Sequence, residues 1–358
     1  MITGLPLFLI LTLSQPPAAA VPSGEDWQKS EAASLKNIRQ LTTEFARAGE
    51  GYFAPDGKSI IFQAEEKATG NPFYQIFTMG LDEKGKSVPS SLRRISPGVG
   101  KTTCSFYRPD GQKLIYASSP LDPKAASYYQ GEYDQRDQEK KSGKRRRYQW
   151  DFDPQMEIFE AHADGTGIKR LTDSPGYDAE GSYSPDGKQI VFCSERSGAG
   201  NLELYIMDSD GANVRKLTNA PGCYNGGPFF SPDGKRVIFR SDRKKKDHLQ
   251  LMVINTDGTG EKSLSEDLDW VQWGPYWHPD NRHIVYAAAN HAVAGRPNYD
   301  VYWMDVESGK KQRITFAPGA DVLPVFSPDG KKLMWTSTRD GRQPSQLYLA
   351  DFEAPKEP

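Results

Sequence analysis

Tyr183-Ser184-Pro185-Asp186-Gly187-Lys188-Gln189-Ile190-Val191-Phe192 sets an aromatic residue and a hydroxyl before a Pro-Asp-Gly turn, and an apolar β-branched run after it. Proline presets φ early in a turn, Asp bonds back to the turn amides, and Gly accepts the left-handed conformation. The unit recurs with its proline at 55, 109, 185, 232, 279 and 328, at intervals of 54, 76, 47, 47 and 49 residues. The fifth copy reads Pro279-Asp280-Asn281, and Asn is the next-best residue where the backbone turns left-handed. A period near 50 residues fits a four-stranded propeller blade and is too long for ankyrin or leucine-rich repeats.

Around each turn the other strands fall into register. Ile60-Ile61-Phe62, Leu114-Ile115-Tyr116, Ile190-Val191-Phe192, Val237-Ile238-Phe239, Ile284-Val285-Tyr286 and Leu333-Met334-Trp335 follow the turns, and their β-branched and aromatic content predicts strands. A third strand recurs at Ile76-Phe77, Ile158-Phe159, Leu204-Tyr205, Leu251-Met252, Val301-Tyr302 and Leu347-Tyr348. A fourth ends in Leu41-Thr42, Ile95-Ser96, Leu171-Thr172, Leu217-Thr218, Leu264-Ser265 and Ile314-Thr315. The last repeat stops after its third strand, whereas the first begins with an orphan fourth strand at Arg39-Gln40-Leu41-Thr42.

The predicted fold is therefore all-β: a six-bladed propeller of four-stranded antiparallel blades over 38–352, its ring sealed by the N-terminal strand completing the last blade. Residues 1–20 read as a signal peptide, 21–37 as an extension, 120–154 as an insertion in blade two and 353–358 as a tail. The first twenty residues carry no charge and end in Ala18-Ala19-Ala20, a small-residue cleavage pattern that lacks the usual basic start. Their apolar run is too short to span a bilayer, so the expected mature protein is a periplasmic or secreted monomer without a transmembrane segment.

Lys plus Arg number 45 against 47 Asp plus Glu, a net charge of −2, which offers no global field to attract nucleic acid. Cys104, Cys193 and Cys223 form no Cys-x-x-Cys pair. Cys193, inside a strand, reads as a small buried hydrophobe.

In a propeller the Pro-Asp-Gly turns and the Asp/Gly turns after the third strands share one side of the disc. The fourth-to-first connections and the second-to-third loops share the other, and loops on a rigid scaffold carry function. Across the six fourth-to-first connections, Glu50, Asp178, Glu180, Asn225, Trp270, Trp273 and Asp321 are the candidate residues for binding at the channel mouth, with Asp269, Tyr177 and Tyr224 beside them. Convergent carboxylates suit Ca²⁺ or a cationic side chain of a partner; alternatively they satisfy backbone amides at strand starts or face solvent. No other cofactor is expected.

The insertion at 120–154 falls on the same face and carries Lys140, Lys141, Lys144, Arg145, Arg146 and Arg147 beside Trp150 and several tyrosines. It reads either as a partner-binding segment or as a solvated loop tucked onto the disc by its aromatics.

Catalytic signatures are missing from the sequence. There is no Gly-x-Ser-x-Gly elbow, no His-Glu-x-x-His and no phosphate loop or dinucleotide fingerprint. Five histidines are scattered, and His278 and His283 flank the fifth turn, where a hairpin role is expected. Paired acids around the channel leave a glycosidase-like or metal-assisted lyase chemistry as the alternative.

The segments Tyr183–Phe192, Phe326-Ser327-Pro328-Asp329-Gly330-Lys331-Lys332-Leu333 and Arg215-Lys216-Leu217-Thr218 resemble the repeats of the TolB-type propeller family, across about nine tenths of the chain. The resemblance implies a non-enzymatic periplasmic propeller that binds other envelope proteins, as in the Tol-Pal system. Related propellers serve as gating domains of peptidases and, in oligogalacturonate lyase, as a metal-dependent active site. The chain departs from TolB proper in its short stretch before the propeller and in the blade-two insertion.

Overall fold

The computed structural model describes residues 27–144, 152–339 and 344–355; the predicted signal peptide, Arg145, Arg146, Arg147 and Trp150 lie outside the described residues. Helix α1 (Trp27–Glu31) leads into β1 (Leu35–Gln40). Blade one is β2 (Arg47–Phe53), β3 (Ser59–Glu65), β4 (Gln75–Leu81) and β5 (Ser87–Arg94). Blade two is β6 (Thr102–Tyr107), β7 (Lys113–Ser118), then helix α2 (Ser127–Ser142), β8 (Glu157–His162) and β9 (Lys169–Arg170). Blade three is β10 (Asp178–Tyr183), β11 (Gln189–Ser194), β12 (Glu203–Asp208) and β13 (Arg215–Lys216). Blade four is β14 (Asn225–Phe230), β15 (Arg236–Ser241), β16 (Gln250–Asn255) and β17 (Lys262–Ser263). Blade five is β18 (Trp270–Trp277), β19 (His283–Asn290), β20 (Asp300–Asp305) and β21 (Lys311–Arg313). Blade six is β22 (Asp321–Phe326), β23 (Lys332–Ser337) and β24 (Gln346–Phe352), completed by β1.

Among the described residues these strands form six four-stranded antiparallel sheets, and successive innermost strands pack side by side until β22 meets β2. The ring closes where the sequence predicts. β1 pairs with β24, Leu41 N donates to Leu347 O at 2.8 Å, and Thr42 Oγ1 accepts the Leu347 amide at 2.9 Å. That last bond explains the recurring Leu-Thr ending. Thr172 and Thr218 likewise accept the amides of Ile158 and Leu204, and donate to Glu157 and Glu203 at 2.6 Å. A short fourth strand is thus pinned by one buried hydroxyl to the start of the third.

The turns behave as their composition demands. The Gly of each Pro-Asp-Gly has φ between 68° and 71°, and Asn281 sits at 62°. Side-chain oxygens of Asp56, Asp186, Asp233 and Asp329 accept the amide two residues on. At the fifth turn His283 Nδ1 lies 2.6 Å from Asp280 Oδ2 and His278 Nδ1 accepts the Asp280 amide, a hairpin role for both histidines.

One expectation is corrected. The insertion in blade two is a helix over 127–142 rather than a loop. Its sequence, SYYQGEYDQRDQEKKS, contains no proline and no β-branched residue. Gln130 and Arg136 pair with Asp134 and Glu132 at i,i+4, Lys140 and Lys141 occupy the last turn, and Gly143 ends it at φ 67°. No residue of the helix is buried, so no apolar periodicity marked it.

Candidate functional site

The residues expected in fourth-to-first connections lie instead within the innermost strands, and these strands share a peculiarity. Each bulges at the same point, three residues before its terminal aromatic, and the residue there has positive φ: Glu50 (44°), Cys104 (52°), Glu180 (58°), Gly227 (58°), Gly274 (58°) and Leu323 (53°). Two copies use glycine. The other four hold an L-residue where such a conformation costs on the order of 1 kcal/mol or more. The bulge turns one residue per blade out of the pleat, making a ring of six around the axis.

Two positions further along, aromatic rings close the channel. Tyr52 and Phe229, from opposite blades one and four, have ring centroids 5.6 Å apart; Phe106 and Tyr276 lie 5.9 and 5.1 Å from Phe229. Contact between opposite blades means that the axis itself is filled. The channel is therefore blocked at this level, a blind pit above which Glu50, Cys104, Trp273 and Leu323 stay partly exposed. Beyond the plug, on the turn face, the six turn prolines rim a separate cup of about 310 Å³.

Above the plug, polar groups gather on one side. Glu180 accepts from Tyr224 Oη at 2.9 and 3.0 Å, from the Gly227 amide at 2.5 Å and from Arg240 Nη2 at 3.0 Å, with Tyr177 Oη at 3.3 Å. Arg240, from β15, also donates to Tyr224 Oη through two nitrogens and lies 5.8 Å from the centre of the Trp273 ring. A Cβ on Gly226 would sit 2.1 Å from Tyr224 Oη and 2.6 Å from Glu180 Oε2, so this close approach needs glycine.

Glu50 stands across the pit from this group. Its amide is held by Thr336 Oγ1 at 2.9 Å, and its carboxyl has the Tyr52 hydroxyl at 3.3 Å. The side chain is partly exposed, but protein surrounds most of it. Desolvation, reinforced by Glu180 and opposed by Arg240, pushes its pKa up to about 7. Burial likewise raises the thiols of Cys104 and Cys193 and the phenols of Tyr52, Tyr177 and Tyr224 well above their ordinary values. Neither thiol is set up as a thiolate nucleophile.

The remaining predicted residues lie elsewhere. Asp178, Asn225 and Asp321 are fully buried between blades, each receiving an arginine from a Ser-x-Arg segment after the second strand: Arg196 at 2.9 Å, Arg243 at 2.6 Å and Arg339 at 3.1 Å. Arg339 also grips Glu31 of α1, which accepts the Phe316 and Ala317 amides. These are structural latches. Trp270 packs on Tyr302 of its own blade, 5.9 Å away, and Asp269 is exposed. Of the seven mouth candidates, the pit brings together Glu50, Glu180 and Trp273.

Sequence reasoning missed Cys104, Arg240 and Leu323. The recurring glycines near the bulge, Gly49, Gly51, Gly181, Gly226, Gly227 and Gly274, were the available signal.

Helix α2 flanks the mouth. Arg136 donates to Glu65 at 2.7 Å and to Pro72 O at 2.8 Å, and Arg47 binds the other Glu65 oxygen. Tyr129 Oη accepts the Gly100 amide. Lys140, Lys141 and Lys144 are exposed at its far end, and Tyr128, Tyr133 and Leu121 present apolar surface. His248 and His291, from loops of blades four and five, meet with ring centres 5.8 Å apart. Among the described residues no three His, Cys, Asp or Glu side chains converge as a metal cluster, and no helix is long and apolar enough to cross a membrane.

Residues 143–292 match the family model described as the TolB beta propeller domain. Over that stretch the chain is similar to TolB-type β-propellers. It is 33% identical over 159 residues to a TolB homolog of Chlorobium chlorochromatii, an alignment covering 44% of this chain and 33% of the relative. The chain spans less than half of the length of the curated relatives it matches. Among solved structures, a putative TolB from Agrobacterium tumefaciens superposes with a TM-score of 0.58 at 17% identity, covering 90% of this chain and 98% of that one. Oligogalacturonate lyase from Vibrio parahaemolyticus gives 0.53 at 14% identity, over 88% and 93%. At such identities the structural likeness concerns the fold alone.

Proposed function

We propose that this TolB-type propeller is an exported, non-catalytic scaffold in the periplasm that binds an envelope protein or peptide through its channel face. The observation that carries the reading is the blind pit: a plugged axis, a strained ring at its wall and a helical insertion beside its mouth. A pocket open at one end, polar on one side and flanked by exposed tyrosines, suits a protruding group of a partner better than a through-passage. The basic segment from Lys140 to Arg147, with Trp150, is the proposed second contact.

A second reading has one observation in its favour. Glu50 and Glu180 are two carboxyls in unlike surroundings, the pattern of an acid and base pair. Yet both oxygens of Glu180 are committed to Arg240, two phenols and the Gly227 amide, which leaves a sugar or water nothing to engage. The scaffold reading ranks first on that ground.

Crosslinking the exported protein in an envelope extract, followed by identification of the captured proteins, tests the proposal. A partner lost on removal of 124–150 or on filling the pit through Leu323→Trp supports it. Turnover of a polysaccharide, abolished by Glu50→Gln, would replace it with the enzymatic reading.

A further inference from the structure

The pit wall carries a charge imbalance that its own residues leave uncorrected. Two carboxyls, Glu50 and Glu180, face one guanidinium, and Arg240 is bound by Glu180 and by Tyr224. Among the described residues no cation forms an ion pair with Glu50; its carboxyl is met by the neutral Tyr52 hydroxyl at 3.3 Å and the Cys104 thiol, and Arg240 acts on it only at longer range. Leu323, at the bulge of blade six, is partly exposed and packs against Gly274 of blade five, and the Trp273 ring lies 5.8 Å from the Arg240 guanidinium.

We propose that the pit receives one monovalent cationic group of the partner, a lysine or arginine side chain or a terminal ammonium, seated against the Glu50 carboxylate. The inference rests on the channel-face reading above and names the chemistry of what enters. With Glu50 ionised the wall carries one uncompensated negative charge, which a single positive charge balances. Entry is from the mouth, because the aromatic plug blocks the far end. The methylene stem of such a side chain lies along Leu323 and Trp273 while its head reaches Glu50. A divalent ion fits less well. Ca²⁺ takes six to eight oxygens, whereas here the Glu180 oxygens are occupied and Arg240 repels it.

The groups facing Glu50 are Tyr52 from β2, Cys104 from β6, Glu180 from β10, Arg240 from β15 and, beside Tyr52, Tyr276 from β18. The phenols and the thiol are raised and stay neutral through the physiological range; Glu50 changes charge near neutrality. Occupancy by a cation therefore strengthens as pH rises through about 7.

The test is titration calorimetry on the full chain with acetyl-lysine amide, acetyl-arginine amide and the neutral isostere acetyl-norleucine amide. Near pH 8.5 the cationic probes bind about tenfold or more tightly than norleucine, and near pH 6 this preference shrinks severalfold. Glu50→Gln removes the preference, and Leu323→Lys, which supplies an internal ammonium, weakens the cationic probes even if the first variant folds poorly. Equal affinities, a preference that survives Glu50→Gln, absence of binding by any probe, or displacement of the probes by Ca²⁺ alone overturns the inference. A partner captured equally by wild type and Glu50→Gln sinks the cation site and leaves the scaffold standing; no partner for the wild type sinks the scaffold itself.

Discussion

Replacing Glu50 by Gln should stabilise the protein at high pH and leave it unchanged at low pH. In the unfolded chain this carboxyl titrates near 4.5; in the pit burial moves it to about 7. Below about pH 4.5 both states hold the proton and the residue is neutral to stability. Between the two values the unfolded chain loses its proton while the native state keeps it, so stability falls as pH rises. Above about 7 both are ionised and the native state bears the full penalty. The difference of about 2.5 in pKa corresponds to roughly 3 kcal/mol, and water in the pit reduces this to about 1–3 kcal/mol. Urea unfolding of wild type and Glu50→Gln, from about pH 5 to 8.5, measures it. Glu157 and Asp300, also raised to about 7 by burial, slope the same way in both proteins and cancel in the difference. A stability difference that does not change with pH would show that Glu50 is not held in the desolvated setting described, and the charge argument for the pit would fall with it.

Deletion of 36–43 should destabilise the whole propeller, since it removes the last strand of blade six; Thr42→Val, which strands the buried Leu347 amide, should cost about 1–3 kcal/mol, and unchanged melting of both would refute ring closure. Arg240→Met leaves the Glu180 carboxylate buried without its cation and should cost about 3–5 kcal/mol, much of it recovered in the double variant with Glu180→Gln; strictly additive unfolding energies would argue against the pairing. Arg136→Ala removes the tie between α2 and Glu65. Because α2 is surface-exposed and Glu65 keeps Arg47, global stability should change by less than about 1 kcal/mol, but trypsin should cut within 127–144 markedly faster, and an unaltered cleavage rate would mean that other contacts hold the helix.

Why the blades were legible and the site was not follows from the range of the interactions. The Pro-Asp-Gly turns, the β-branched triplets and the Leu-Thr endings are local devices repeated six times, so one reading corrects another. Asp178 and Asp321 illustrate the opposite case. They are acids at the start of innermost strands, as Glu50 and Glu180 nearly are, and composition gives no reason to separate them. What separates them is a two-residue offset along a strand: one position aims between blades at an arginine, the bulge position aims at the axis. A bulge reverses facing and breaks the alternation on which strand reading depends.

Helix α2 escaped for a related reason, having no buried face to impose a period. Its anchors are far away in sequence: Arg136 binds Glu65 of blade one, and Tyr129 accepts the Gly100 amide in the connection between blades one and two. Sequence alone determined the number of blades, their strand order and the strand that closes the ring, because those depend on turn chemistry and periodicity within a few residues. The tertiary structure alone decided that Arg240 pairs with Glu180 and, among the described residues, leaves Glu50 without an ion-pair partner, that Tyr52 and Phe229 meet across the axis, and that the channel ends blind. Those contacts join residues from different blades, neighbouring in the first case and opposite in the second, and only assembling the ring brings them together.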